Sequence, residues 1–203
     1  QEYMCQPADD DSAFLEYDLI ASCEYPHDAD WQLIEGRELY AGIDIGRTRD
    51  LTVLWVVERL GDVLYTRHIE TLARMPKPDQ EAILWPWINR CRRVCIDRTG
   101  LGIGWTDDAQ RRFGDHRVEG VNFSGRVKEA LAYPVRGAMQ DRRLRLPYSP
   151  DIRADLRQVT KTTTIAGNVR FTAERTANGH ADRFWALALA IHAASTPAAP
   201  IDY

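Results

Sequence analysis

Three extended segments separated by short breaks open the main part of the sequence, and they limit the folds available to the chain. Residues 39 to 46, 51 to 59 and 63 to 70 are rich in apolar and β-branched residues, and polar or glycine-containing turns separate them. This spacing predicts an antiparallel meander. A helix over residues 79 to 92 and an apolar strand over residues 93 to 97 follow, which indicates a parallel strand added to the same sheet.

The second half of the sequence alternates between helical and extended patterns. The predicted elements are helices over 105 to 113, 125 to 142 and 150 to 159, a strand over 118 to 123, a short extended piece over 143 to 147, a hairpin within 161 to 174 and a final helix over 181 to 195. We therefore expect an α/β fold, with a mixed five-stranded sheet of three antiparallel strands plus parallel strands, flanked by helices and carrying an extra β-hairpin. This is the ribonuclease H-like layout.

The pattern also predicts how the chain is divided. Residues 1 to 37 differ from the rest and are expected to form a linker-like N-terminal extension packed on the core. Residues 38 to 196 are expected to form the main domain, and residues 197 to 203 a flexible tail. Because the chain starts with Gln1 rather than Met, we expect it to be a fragment of something longer.

Composition narrows the classes of function. The formal net charge is −4, which argues against a protein that coats DNA passively, since such proteins are usually basic. The four cysteines, Cys5, Cys23, Cys91 and Cys95, form no CxxC pair, so reduced structural thiols in a cytosolic protein are expected. No apolar run approaches the roughly 20 residues that span a bilayer.

Three acids occupy positions that this fold would bring together. Asp44 lies within the first strand, Asp97 ends the fourth strand and Asp182 begins the last helix. The first and fourth strands should be parallel neighbours, so their ends would place Asp44 beside Asp97. Clustered carboxylates raise one another's pKa and are tolerated mainly when cations neutralise them. Mg²⁺ and Mn²⁺ favour oxygen ligands, and two such ions support phosphodiester hydrolysis.

Two of the three acids also have an ordinary structural interpretation, whereas Asp44 is harder to explain in this way because it lies in an apolar strand. An Asp at a strand end, such as Asp97, often caps a turn, and an acid in the first turn of a helix, such as Asp182, complements the helix dipole. Asp50 is a further candidate ligand, although it fits a turn equally well. His180 is an auxiliary candidate that could contact a phosphate or orient a ligand, or simply face solvent.

The segments GIDIGRTRDLTVLWVVE, VCIDRTGLG and HADRFWALALA together resemble the C-terminal nuclease domain of bacteriophage terminase large subunits, most closely those of Mu-like phages. The resemblance implies a metal-dependent endonuclease that cuts concatemeric phage DNA during genome packaging. It implies catalytic Asp44, Asp97 and Asp182, two divalent metal ions, Mg²⁺ or Mn²⁺, and Asp50 as an additional acid.

The resemblance also implies partners and a location. Double-stranded DNA is the expected substrate, and an N-terminal packaging ATPase domain of the same polypeptide is expected as a neighbour, although this chain has no GxxxxGK[ST] phosphate loop. The portal and the small terminase subunit are further expected partners, with no membrane. The expected location is the cytoplasm of the infected bacterial host, and transiently the procapsid portal.

Arginine supplies most of the positive charge, and it suits bidentate contacts to phosphates. The candidate DNA-binding residues are Arg47, Arg49, Arg98, Arg126, Lys128, Arg142, Arg143 and Lys161.

Three other interpretations remain open from the sequence. DIGRT is similar to the phosphate loop of sugar kinases and actin-like ATPases, although those proteins need about twice this length and Arg47 is bulky where a phosphate should lie. Another ribonuclease H-like nuclease, such as a resolvase or transposase core, would use the same acids. A docking module for portal or capsid proteins would use none of them.

Overall fold

The computed structural model describes residues 13–25, 37–46, 51–163, 169–173 and 181–195. Within these ranges the strands are β1 (Glu24–Tyr25), β2 (Leu39–Asp44), β3 (Thr52–Leu60), β4 (Val63–Leu72), β5 (Arg93–Asp97), β6 (Val118–Val121), β7 (Leu144–Pro147), β8 (Val159–Thr163) and β9 (Val169–Ala173). The helices are α1 (Tyr17–Ala21), α2 (Lys77–Arg90), α3 (Gly102–Phe113), α4 (Gly125–Gln140), α5 (Pro150–Arg157) and α6 (Asp182–Ser195).

The main sheet has seven strands in the order β1-β7-β4-β3-β2-β5-β6, and β8 and β9 form the separate hairpin. Strands β2, β3 and β4 form the predicted antiparallel meander, and β5 and β6 extend it in parallel. The predicted count of five strands was wrong. Strands β1 and β7 add two short parallel strands beyond β4, with β1 at the edge of the sheet. Residues 143 to 147 were predicted as extended but not as part of the sheet, and the two residues of β1 carry too little alternation to reveal a strand.

Helices cover both faces of the sheet, as its central strands require. Strand β3 shows this directly, because Trp55 and Val57 enter one hydrophobic core while Leu54 and Val56 enter the other. The first core is completed by α4, α5, α6 and the hairpin, and the second by α2 and α3. The result is three layers, in which β2 is buried along its whole length.

The segment before β2 packs on the first core. Phe14 and Leu15 are buried, and the Phe14 N–H donates to the Val159 carbonyl at 2.8 Å. The Phe14 ring makes an edge-on contact with Phe171 of the hairpin, with 4.8 Å between centroids. Residues 13–25 of the N-terminal region therefore contact the hairpin through an aromatic cluster.

Helix α6 lies directly on β2 because Gly42 has no side chain. A Cβ atom at Gly42 would stand 2.1 Å from the Ala186 carbonyl oxygen and 2.3 Å from the Ala190 nitrogen. The alanine-rich helix is apolar nearly all round, as a helix buried between other elements must be. This close approach sets the first residue of α6 beside the last residue of β2. Among the described helices, none has both the length and the apolar character to cross a membrane.

Three of the cysteines fall in the described ranges, and Cys23, Cys91 and Cys95 are buried, free thiols. Cys5 lies outside the described residues.

Candidate active site

Strand pairing brings two of the predicted acids side by side. Strands β2 and β5 are parallel, and Ile43 is the register partner of Ile96. Asp44 and Asp97 are the next residues on these two strands. Adjacent strands lie about 4.8 Å apart, so the two side chains leave the same edge of the sheet as neighbours.

Asp182 completes the group from above the sheet, as the first residue of α6. All three aspartates are nearly buried, with 9%, 8% and 6% of Asp44, Asp97 and Asp182 exposed. The backbone N–H of Leu51, just before β3, donates to Asp182 Oδ2 at 3.1 Å. This bond ties the start of α6 to the meander.

Burial and the neighbouring carboxylates disfavour the charged form of Asp44. Burial, and then the charges of Asp182 and Asp97, raise the pKa of Asp44 well above its ordinary 3.8. The positive charge of Lys128 opposes this shift only in part. A carboxylate in such surroundings is stabilised by bound cations, because they offset both the desolvation and the repulsion.

Asp97 both caps a turn and belongs to the group of three aspartates. Its Oδ1 accepts the backbone N–H of Thr99 at 2.9 Å, which closes a turn after β5. Burial raises the pKa of Asp97, and the bonds from Thr99 oppose that rise. The turn is compact, since a Cβ at Gly102 would lie 1.8 Å from the Asp97 carbonyl oxygen. The turn contact therefore fixes the orientation of the Asp97 carboxylate.

A fourth buried acid lies behind the group, and the sequence did not single it out. Asp155 of α5 is 2% exposed, and Arg183 Nη1 donates to its Oδ2 at 3.3 Å. Burial raises the pKa of Asp155 to about 6, Arg183 opposes the rise and the charge of Asp182 adds to it. No sequence pattern marks Asp155, because it sits in an ordinary amphipathic helix.

The three aspartates line a cleft of about 600 Å³ between the sheet edge, α4, α6 and the hairpin. Lys128 of α4 lies in this cleft with its Nζ 4.6 Å from the ring centroid of Trp185. The other walls include Phe123, Ser124, Arg170, Thr172 and Trp185. Arg170 was not among the predicted DNA-binding residues, although its position in the hairpin RFTAE is the signal that would have pointed to it.

Four of the predicted DNA-binding residues lie on α4, directly after β5 and on β8. Lys128 lines the cleft, and Arg126 is exposed two residues earlier on α4. Arg98 follows Asp97 and pairs with Asp107 at 3.1 Å. Lys161 is on β8, over the Tyr133 ring.

Arg142 and Arg143 lie elsewhere. They precede β7, whose first residue, Leu144, pairs with Leu64 at the start of β4. Since β4 and β7 run parallel to β2, these two arginines stand at the end of the sheet opposite Asp44. Of the remaining candidates, Asp50, Arg47, Arg49 and His180 lie outside the described residues.

The donor set fits hard divalent cations, because it consists of carboxylates in a polar cleft. Among the described residues, one group of three ligand side chains has donor atoms that all lie within 4.8 Å of one another. That group is Cys95, Glu119 and His192, and it lies outside the cleft. The three aspartates are thus spread more widely than a compact single-ion group.

Comparison with known proteins identifies the family. The family described as "Terminase RNaseH-like domain" matches residues 41–194, which span the meander, the cleft and α6. The chain belongs to this family. None of the curated proteins compared with the chain matches it.

Solved structures of terminase nucleases share the fold. The large terminase nuclease of thermophilic phage G20c with bound magnesium has a TM-score of 0.66 at 23% identity, covering 78% of this chain and 82% of that one. The nuclease domain of the SPP1 large terminase with bound manganese has a TM-score of 0.58 at 13% identity, covering 84% and 96%. The HK97 large terminase has a TM-score of 0.63 at 17% identity, and the match covers 89% of this chain but 43% of that longer one. The predicted ribonuclease H-like fold is confirmed.

Proposed function

We propose that this chain is a metal-dependent DNA endonuclease domain, with Asp44, Asp97 and Asp182 as its catalytic carboxylates. The observation that carries the proposal is the convergence of these three buried side chains, from two strand ends and one helix start, on a single open cleft. Membership of the terminase family supports it, as do the magnesium and manganese bound in two similar nucleases.

Asp44, Asp97 and Asp182 would hold two Mg²⁺ or Mn²⁺ ions, with Asp50 as a candidate fourth ligand. When bound, these ions would supply Lewis-acid chemistry for phosphodiester hydrolysis. The chain itself orients the ligands, since the Thr99 N–H fixes Asp97 and the Leu51 N–H fixes Asp182. Asp44 stands at the end of β2, and the burial of that strand along its whole length fixes the Asp44 backbone.

DNA would enter along the hairpin side of the cleft and be held mainly through its phosphates. Lys128 and Arg170 line the cleft itself. Arg126, Arg98 and Lys161 would extend the basic surface around it, and Arg47 and Arg49, which follow β2 in the sequence, are further candidates. The position of Arg142 and Arg143 at the far end of the sheet places them away from this path.

The biological role we propose is the cutting of concatemeric phage DNA at the start and end of genome packaging. A packaging ATPase domain in the same polypeptide, the portal and the small terminase subunit would be its partners, in the cytoplasm of the infected host and transiently at the procapsid portal. A Mu-like origin remains our proposal, since the similar structures come from other phages.

The chain also divides into a nuclease domain and two flanking segments in this proposal. We propose residues 38–196 as the nuclease domain, residues 1–37 as an extension packed on it and residues 197–203 as a tail. The family match from residue 41 and the packing of Phe14 against the hairpin support this division.

A plasmid-cleavage assay tests the proposal. Supercoiled plasmid should be nicked and linearised with Mg²⁺ or Mn²⁺ and remain intact with EDTA. Selective cutting of four-way junctions over linear duplex would instead indicate a resolvase, and tight ATP binding in calorimetry would contradict the nuclease proposal. No cleavage with either metal would leave the docking module as the better account.

A further inference from the structure

A second group of metal-ligating side chains lies on the α6 face of the sheet, away from the cleft. Cys95 of β5 and Glu119 of β6 are register partners on adjacent parallel strands. His192 reaches them from the last turn of α6. One donor atom from each residue lies within 4.8 Å of those of the other two.

The contacts within this group are close. The Cys95 thiol donates to Glu119 Oε2 at 3.6 Å, and His192 Nε2 lies 3.5 Å from Glu119 Oε1. The group is well separated from the cleft, because His192 is ten residues after Asp182 on α6. At 1.5 Å of rise per residue, that spacing is about 15 Å along the helix.

We propose that Cys95, Glu119 and His192 bind one zinc ion at a site distinct from the two-metal cleft. A thiolate, an imidazole and a carboxylate are ligands that Zn²⁺ takes in proteins, and three protein ligands leave a fourth tetrahedral position for water. Water can reach that position, because the side chains of Glu119 and His192 are 36% and 38% exposed. The buried Cys95 supplies the soft ligand that Mg²⁺ does not select.

Arg93 completes the surroundings of the proposed site. Its guanidinium bonds to Glu119 Oε2 and leaves Oε1 on the side of His192. Carboxylates that bind metals are commonly fixed by such outer contacts.

Zinc binding at this site would release one proton, and the two anionic ligands would match the charge of the ion. The ion would displace the proton of the Cys95 thiol to solvent, and the sulfur–hydrogen bond would be replaced by a sulfur–metal bond. The thiolate and the Glu119 carboxylate would then offset the two positive charges of the ion. The bound ion would clamp the end of α6 to β5 and β6, which carry or adjoin Asp97.

Cobalt is the probe, since Co²⁺ substitutes for zinc and gives a near-ultraviolet charge-transfer band when a thiolate binds it. The metal-free 203-residue chain should develop this band and saturate at one equivalent. Cys95→Ser should lose it. The matched control is Cys91→Ser, because Cys91 is equally buried but lies in the other core, and it should keep the band.

Two further variants guard against a folding artefact. His192→Gln and Glu119→Gln retain the thiol and change partly exposed side chains, so each should keep the band and weaken Co²⁺ binding by at least about tenfold, the lower end of the effect of losing an outer contact. Circular dichroism would verify the fold of every variant.

The result also separates this site from the nuclease proposal. Asp44→Asn combined with Asp97→Asn should abolish cleavage while the cobalt band remains. The zinc proposal is overturned by a wild-type chain without the band, by a band that survives Cys95→Ser, or by unchanged affinity in both His192→Gln and Glu119→Gln.

Discussion

Arg183 forms a buried ion pair with Asp155, with 3.3 Å between Nη1 and Oδ2, one residue after Asp182. The pair joins α5 to the first turn of α6, which is the turn that presents Asp182 to the cleft. Because the pKa of Asp155 is raised to about 6, its carboxylate is ionised at neutral pH only at an energetic cost that Arg183 reduces.

The first prediction concerns this pair. Arg183→Met should destabilise the metal-free protein by about 3 kcal/mol at pH 8, since it leaves a buried charge without its partner. The loss should be smaller at pH 5, where Asp155 is protonated in the folded state. Urea unfolding in EDTA at both pH values measures the difference.

Arg111→Met is the matched control, because the Arg111 side chain is 76% exposed and its pair with Asp108 is on the surface. It should change stability by less than about 1 kcal/mol at either pH. An equal loss for Arg183→Met at pH 5 and pH 8 would contradict the role assigned to Asp155.

The second prediction follows from the raised pKa of Asp44. A carboxyl whose pKa is higher in the folded than in the unfolded state stabilises the fold fully below its ordinary pKa, and that contribution is lost as the pH rises. In EDTA, Asp44→Asn should therefore melt at a higher temperature than the wild type at pH 8. The gain should shrink as the pH falls towards 4.

Mg²⁺ should reverse this order. Ions that bind the folded wild type stabilise it by about 2.7 kcal/mol at one hundred times their Kd, and Asp44→Asn loses one of the proposed ligands. Thermal melts with and without Mg²⁺ at pH 8 provide the comparison. A variant that gains as much from Mg²⁺ as the wild type would argue against Asp44 as a ligand.

Lys128 carries the third prediction. Its charge lowers the pKa of both Asp44 and Asp97, and it stands over Trp185 in the cleft. If Lys128 contacts a DNA phosphate, Lys128→Gln should weaken binding to all sequences alike and reduce the slope of log affinity against log salt by about one. Fluorescence anisotropy in EDTA over a salt series measures both.

Arg143→Gln is the contrasting variant. Arg143 pairs with Asp141 at the opposite end of the sheet, so its replacement should leave the salt slope unchanged. Equal effects of the two variants would indicate that DNA follows a different path from the one proposed.

The fourth prediction concerns the contact that positions α6. Gly42→Ala places a methyl group 2.1 Å from the Ala186 carbonyl oxygen, so the helix must move and stability should fall by about 3 kcal/mol or more. Gly137→Ala has no atom within 4 Å of its added Cβ and should stabilise α4 by about 0.5–1 kcal/mol. Chemical unfolding measures the stability of both variants. A loss in Gly42→Ala but not in Gly137→Ala would show that α6 must pack closely on β2.

Much of the fold was predictable because its signals are local. The meander, the strand ending at Asp97 and the alanine-rich helix each have a periodicity or a turn that marks them. The relation between Asp44 and Asp97 then followed from parallel strand order alone. Residues 143 to 147 are predicted as extended, but the place of β7 in the sheet and the existence of the two-residue β1 could not be predicted, since the pairing of such short strands depends on long-range contacts.

The surroundings of the cleft were less accessible from sequence. Arg170 lines the cleft from the hairpin, and Asp155 lies behind the three aspartates on α5. Arg170 has one local signal, its position in the hairpin RFTAE, whereas no sequence pattern marks Asp155. Arg142 and Arg143 lie in the densest basic segment of the sequence, yet the density of charge in a sequence does not indicate which end of the sheet the segment occupies. A basic segment can be linked to DNA binding only after the topology shows which surface the segment occupies.

The most direct test of the central claim is metal-dependent plasmid cleavage by three single variants, Asp44→Asn, Asp97→Asn and Asp182→Asn, with Asp62→Asn as the control. Asp62 is exposed in the turn between β3 and β4, at the sheet end opposite the cleft. We expect each cleft variant to lose cleavage by at least about a hundredfold while remaining folded, and Asp62→Asn to cut like the wild type. Full activity in any folded cleft variant would contradict it.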